Sequence, residues 1–180
     1  MTKPVAATSD IRELRRTLGC FATGVTVVTT LDATGQPRGM TANSFTSVSL
    51  EPALILVCVA KSVPILAAFD SAEGFAVNIL DEQQRDLSTR FATPSADKFA
   101  GVSWRPRITG APVLDNVLAY LDCRLHQRID AGDHVILIGA VADYGRIDAS
   151  PLLFCRGSYG AIAAETAPDF PTATTVATVN

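Results

Sequence analysis

Between Gly39 and Ser62 the chain sets small hydroxyl and amide side chains, Thr41, Asn43, Ser44, Thr46, Ser47 and Ser49, between two strand-like runs. A half-buried strand ordinarily alternates polar residues with large β-branched or aromatic ones. Met40 to Val48 is instead small and partly polar on both faces. Such a surface lets a flat ligand approach the backbone while hydroxyls, an amide and main-chain N–H groups supply directional hydrogen bonds. Ala53 to Val59 is a continuous apolar run and predicts a fully buried strand. Ala60-Lys61-Ser62 after it places one cation and one hydroxyl at a strand end, a pairing suited to a phosphate. Composition alone fits a solvated Ser/Thr-rich edge strand equally well.

Other chemistry-bearing residues are sparse. The chain has two histidines, His126 and His134. His134 follows Ala131-Gly132-Asp133 beside a turn signal, where position alone suggests an exposed turn residue, and His126 reads as structural. Arg90-Phe91 ends a predicted helix, a favourable place for a cation. Tyr159, in Arg156-Gly157-Ser158-Tyr159-Gly160, sits near a strand end where tyrosine commonly packs. No Gly-x-Ser-x-Gly elbow, Gly-x-Gly-x-x-Gly or phosphate-loop pattern is present, which excludes the simplest hydrolase, Rossmann and nucleoside-triphosphatase readings. Cys20, Cys58, Cys123 and Cys155 are scattered, with no Cys-x-x-Cys pair or nearby histidine, so neither a metal site nor a redox dithiol is expected.

The elements that must position these residues are mostly strands. Asp10 with Glu13 three residues on suggests a capped helix running to Leu18, with Gly19 at its end. Val25 to Thr30 is a β-branched strand and Asp32 to Pro37 its turn. Pro64 to Phe69 predicts a short helix, Phe75 to Leu80 a strand, and Glu82 to Phe91 a second helix. Thr93 to Pro112, rich in turn formers, reads as a long loop carrying Trp104, Arg105 and Arg107. Val117 to Ile129 and Val135 to Tyr144 form a ribbon about the Asp130–Asp133 turn, and Leu152 to Phe154 is a last short strand. No βαβ alternation appears, so a mostly antiparallel barrel with attached helices is expected. From Ala163 onward the biased composition predicts a tail or arm.

With 180 residues the chain is most simply one domain, able to bury about 70% of its unfolded surface. Hydrophobic residues make up 48% and charged ones 18%, with mean hydropathy +0.26, apolar enough to suggest a surface covered by a partner subunit. A net charge of -3 without a basic aromatic-rich run argues against nucleic acid. No run has the length of a membrane span, and the N-terminus lacks a secretory h-region, so no membrane association and a cytoplasmic location are expected.

The segment Gly39-Met-Thr-Ala-Asn-Ser-Phe-Thr-Ser-Val-Ser-Leu-Glu-Pro52, preceded by Phe21-Ala-Thr-Gly-Val-Thr-Val-Val-Thr-Thr30 and followed by Gly132-Asp-His134, resembles the small flavin reductases that serve two-component flavin monooxygenases. The resemblance runs from about Leu14 to Ala161. It implies a mainly β protein with peripheral helices, an antiparallel, Greek-key-like FMN-binding split β-barrel occupying residues 1–162, with 163–180 as the tail. It implies hydride transfer from NADH to FAD or FMN, a homodimer, and release of reduced flavin to a separate flavin-dependent monooxygenase. The flavin side would comprise Gly39, Met40, Thr41, Ala42, Asn43, Ser44, Ser47, Val48, Cys58, Val59, Ala60, Lys61 and Ser62, with Arg90 near phosphate and Phe91 near the ring or ribityl chain. His134 and Tyr159 would meet the nicotinamide nucleotide. No arginine cluster suited to a 2′-phosphate stands near His134, which favours NADH over NADPH. Because the reacting atoms belong to the two cofactors, no catalytic side chain is expected. The same barrel could instead keep its flavin, as flavoprotein oxidases do, or serve as a non-catalytic flavin or haem-binding module.

Overall fold

A computed structural model describes residues 11–95 and 97–162; Asp10 of the predicted cap and the predicted tail lie outside the described residues. The described residues begin with helix α1 (Ile11–Leu18), none of whose residues is buried. The strands β1 (Thr23–Gly24), β2 (Thr26–Leu31), β3 (Pro37–Ala42), β4 (Thr46–Leu50) and β5 (Ala53–Ala60) follow. A 3-10 helix (Pro64–Asp70), β6 (Gly74–Ile79) and helix α2 (Arg85–Ala92) come next. The last strands are β7 (Trp104–Pro106), β8 (Pro112–Leu114), β9 (Ala119–Ala131), β10 (His134–Arg146), β11 (Leu153–Cys155) and β12 (Ser158–Gly160).

One seven-stranded sheet, ordered β3-β2-β6-β9-β10-β5-β4 and antiparallel throughout, forms the body. Its two edge strands, β3 and β4, are consecutive in the chain and joined by Asn43–Phe45 alone, so the sheet must curl until its edges meet. Inside the curl lies a core of Val28, Ile55, Val57, Val59, Phe69, Phe75, Val77 and Leu137. Phe69 and Phe75 meet edge to face at 6.0 Å. The opposite side of β2 packs Val25 and Val27 with Leu80, Phe91, Leu114 and Leu152. With a core on each side, β2 is buried from Thr26 through Thr30.

Several sequence expectations are corrected here. Met40 to Val48 is two strands broken at Asn43–Phe45, because β3 pairs with β2 while β4 pairs with β5. The apolar run Ala53 to Val59 is not buried on both faces: Ile55, Val57 and Val59 enter the core, whereas Leu54, Leu56 and Cys58 alternate outward and are half-buried. The second helix starts at Arg85, since Asp81 Oδ1 accepts the Gln83 N–H at 2.8 Å and Gln84 Oε1 accepts the Asp81 N–H at 3.0 Å, making a turn of those residues. The predicted loop Thr93 to Pro112 contains β7, which pairs with β8 and sets Trp104 opposite Leu114. The last predicted strand is Leu153–Cys155 and continues into β12 across a turn at Arg156 and Gly157, both with positive φ. The ribbon turn is shorter than expected, just Gly132 and Asp133; Gly132 has φ +64°, as a tight hairpin requires.

Candidate functional site

The crossing from β3 to β4 is fixed from within. Thr26 Oγ1 donates to the Ala42 carbonyl at 2.7 Å, and Thr41 Oγ1 donates to the Ser88 carbonyl of α2 at 2.6 Å. Ser44 Oγ both donates to the Cys58 carbonyl and accepts its N–H, each at 3.0 Å, which fastens the crossing to β5. The hydroxyls of Thr41 and Ser44 are therefore spent on the fold. By contrast, the side chains of Asn43, Ser47 and Ser62 are exposed and make no hydrogen bond among the described residues.

Antiparallel register then carries the line onward from Cys58. His134 lies directly opposite Ala60 on one side and Ala131 on the other, so His134, Ala60, Cys58 and Ile136 share the outward face. The Lys61 N–H donates to the Asp133 carbonyl at 2.9 Å, and its ammonium pairs with Asp130. His134 Nδ1 lies 2.7 Å from Asp133 Oδ1. The His134 hydrogen bond, then its charge, holds the Asp133 carboxyl below the usual carboxylate range, with Arg15 of α1 adding to the effect. Burial pushes the Cys58 thiol up, leaving it a protonated wall rather than a nucleophile. The Cys123 thiol is pushed up to about 12 by burial and by the charge of Asp122.

Lys61 and Ser62 line a hollow of about 370 Å³ with Val63, Pro64, Leu66, Ala67, Asp70 and Arg128. Arg128 is held there by the Asp70 carboxylate at 2.6 Å and the Phe69 carbonyl at 3.1 Å. Arg90, the other cation expected near phosphate, donates to the Ala100 carbonyl and lines a different hollow of about 390 Å³ with Leu87, Val102 and Asn116. The structure thus places the two cations in separate depressions. Phe91 is fully buried, meeting Phe99 edge to face at 5.0 Å, and its carbonyl accepts a hydrogen bond from Lys98 Nζ at 2.6 Å. A Cβ on Gly39 would stand 2.5 Å from Phe91 Cε1, so the glycine at this position serves helix-on-sheet packing. Gly39, Ala42, Val59 and Phe91 are buried, Met40 packs against the core, and Val48 is 47% exposed on β4.

Tyr159 joins the same line from the other direction. Its hydroxyl lies 2.9 Å from Ser88 Oγ, and the Arg85 guanidinium carbon lies 5.0 Å above its ring. Ser88, Arg85 and Asp130 were not among the site residues expected from sequence, and Asp133 entered only as the middle residue of Gly132-Asp-His134. For Ser88 the available signal was its spacing, one helical turn after Arg85. A chain of contacts therefore runs from Tyr159 through Ser88 and Thr41 to the β3–β4 crossing, and from Ser44 through Cys58 to Ala60, Lys61 and His134.

Comparison with known proteins matches residues 18–163 to the flavin reductase like domain. A probable flavin reductase of Rhizobium meliloti is 50% identical over 150 residues, 83% of this chain and 48% of that protein. The reductase subunit HsaB of a flavin-dependent monooxygenase from Mycobacterium tuberculosis is 42% identical over 164 residues, 89% of this chain and 87% of its own length. The chain spans between about half and two thirds of the length of the first three curated relatives it matches. Among solved structures, the NADH:FAD oxidoreductase SgcE6 of Streptomyces globisporus, in complex with NAD and FAD fragments, superimposes with TM-score 0.83 at 38% identity, covering 91% of this chain and 99% of that one. The curled antiparallel sheet, the order of the motifs along it and these likenesses converge: the chain belongs to the flavin reductase like domain family.

Proposed function

We propose that the protein is an NADH-dependent reductase of FAD or FMN that passes reduced flavin to a separate flavin-dependent monooxygenase. The observation carrying this reading is the set of exposed side chains left unpaired among the described residues, Asn43, Ser47 and Ser62, together with Lys61, which pairs with Asp130 and directly follows Ala60, the residue that register sets opposite His134. That set suits a flavin: an amide and hydroxyls for a polar ring edge and ribityl chain, small Ala60 and Cys58 beneath, and a cation for phosphate. When bound together, flavin and nicotinamide supply the chemistry themselves, a hydride passing between the two rings. The chain's residues bind and orient. Ser44 holds the crossing to β5 at a fixed separation, and Asp133 orients the His134 ring through Nδ1, which leaves Nε2 as the nitrogen to meet the nucleotide in this reading.

A homodimer accompanies this reading. Leu54, Leu56, Cys58, Ile136, Ile138 and Ala140 form a half-buried apolar face outside the sheet, and neighbouring Leu50 is 83% exposed. A second copy laid on that face would remove it from water. The proposed location is the cytoplasm; no helix among the described residues is long and apolar enough to cross a membrane.

The decisive experiment is NADH oxidation by the purified protein with FAD and with FMN, alongside NADPH. NADH-driven turnover is expected, with flavin separating from the protein on gel filtration. No turnover with either flavin would overturn the reading, and a yellow protein after gel filtration would make the flavin a resident group. His134→Ala is expected to raise the KM for NADH about tenfold with little change in kcat, as for lost ground-state binding.

A further inference from the structure

We infer that Ser88 is a positioning residue that sets Tyr159, on the nucleotide side, against the flavin-side strand β3. This rests on the reductase reading above, in which Thr41 belongs to the flavin wall and Tyr159 to the nucleotide wall.

Ser88 is fully buried, and the other buried residue of α2 is Phe91. A serine at such a position adds little packing volume and carries a hydroxyl that is costly to bury unless paired. Its pairing is specific. The hydroxyl meets Tyr159 Oη at 2.9 Å, and the carbonyl of the same residue accepts Thr41 Oγ1 at 2.6 Å. One residue therefore touches both walls with its two polar ends. Tyr159 needs such a tether because β12 is three residues long and lies at the edge of a small sheet, paired only with β11. The ring is held on two further sides, by Phe154 edge to face at 5.4 Å and by the Arg85 cation over its face at 5.0 Å. Hydroxyl, face and edge are all constrained, so the ring has one orientation relative to β3. Arg85 and Ser88 come from a single turn of α2, which makes that turn a spacer between the two walls.

The two ends of Ser88 separate experimentally. Ser88→Ala deletes the bond to Tyr159 and keeps the carbonyl that Thr41 uses; Thr41→Val does the reverse. Expected for Ser88→Ala is a rise in KM for NADH of about fivefold to tenfold, the range of one lost hydrogen bond. The flavin Kd, read by fluorescence quenching without nucleotide, should stay within about twofold of the parent. Thr41→Val should weaken flavin and leave the NADH constant within that range. Tyr159→Phe, a variant that keeps the ring, should reproduce Ser88→Ala, and the double variant should be no worse than either single. Arg85→Met should move the NADH constant the same way by less, about threefold. A lowered Tm with both constants unchanged, or additive effects of Ser88→Ala and Tyr159→Phe, would overturn the inference. Parent protein that oxidises no NADH would instead overturn the reductase reading on which it rests.

Discussion

Two regions of this molecule are built from the same residue types and use them in opposite ways. In β2 and β6, Thr26, Thr29, Thr30 and Asn78 are completely or almost completely buried, and every side chain is paired. Thr26 donates to Ala42, Thr30 to the Gly74 carbonyl at 2.8 Å, and Thr29 to the Pro112 carbonyl. Asn78 donates to the Val27 carbonyl and to Thr29 Oγ1 and accepts the Leu114 N–H at 2.8 Å. At the β3–β4 crossing the same chemistry is half spent: Thr41 and Ser44 are consumed within the fold, while Asn43 and Ser47 face outward unpaired among the described residues. Density of hydroxyl and amide side chains is therefore a poor marker of a ligand site. Donors that the fold leaves unpaired are a better one.

Substitutions can break that contrast, beginning inside. Asn78→Ala removes three buried hydrogen bonds and strands the Leu114 N–H; a loss of about 3 kcal/mol in urea unfolding is expected, with flavin affinity little changed in the folded fraction. A loss under about 1 kcal/mol would mean that the buried network does not hold β2, β6 and β8 together. Ser44→Ala should fall between the two classes. It removes both bonds to Cys58, costing about 1.5 kcal/mol, and loosens the crossing enough to weaken flavin as well. Were Kd unmoved, the crossing would not set the flavin wall. Asn43→Ala should leave unfolding within about 0.5 kcal/mol of the parent yet weaken flavin about tenfold, measured by equilibrium titration. Equal stability and equal affinity would remove Asn43 from the site.

Much of the architecture was legible because its signals are local. The β-branched run Val25 to Thr30, the Pro-started helical turn at Pro64 and the long ribbon on either side of Gly132-Asp133 all lie close to where sequence placed them. What failed was information carried by partners far away in sequence. The break at Asn43–Phe45 follows from β3 and β4 choosing different neighbours, and the outward face of β5 follows from alternation that a continuous apolar run conceals. The same limit applies to the site. Residues Gly39 to Ser62 and His134 stood out by composition and motif, and register does set His134 beside Ala60. Which hydroxyls were already spoken for was invisible, because Ser44 answers to Cys58 and Thr41 to Ser88, 14 and 47 positions away. Ser88 itself, a single serine in a short helix, offered only its spacing from Arg85.

The short link Asn43–Phe45 also has a meaning for how the chain finds this shape. Ladder order sets β3 and β4 as far apart as two strands of the sheet can be, yet the covalent chain keeps their ends three residues apart. Loop-closure entropy for bringing the two rims together is thus nearly absent, and the β2–β3 and β4–β5 hairpins can form as one local unit already bent toward closure. The slow, long-range step is left to the β9–β10 ribbon, which must arrive from some sixty residues further on and slide between β6 and β5 to complete the wall.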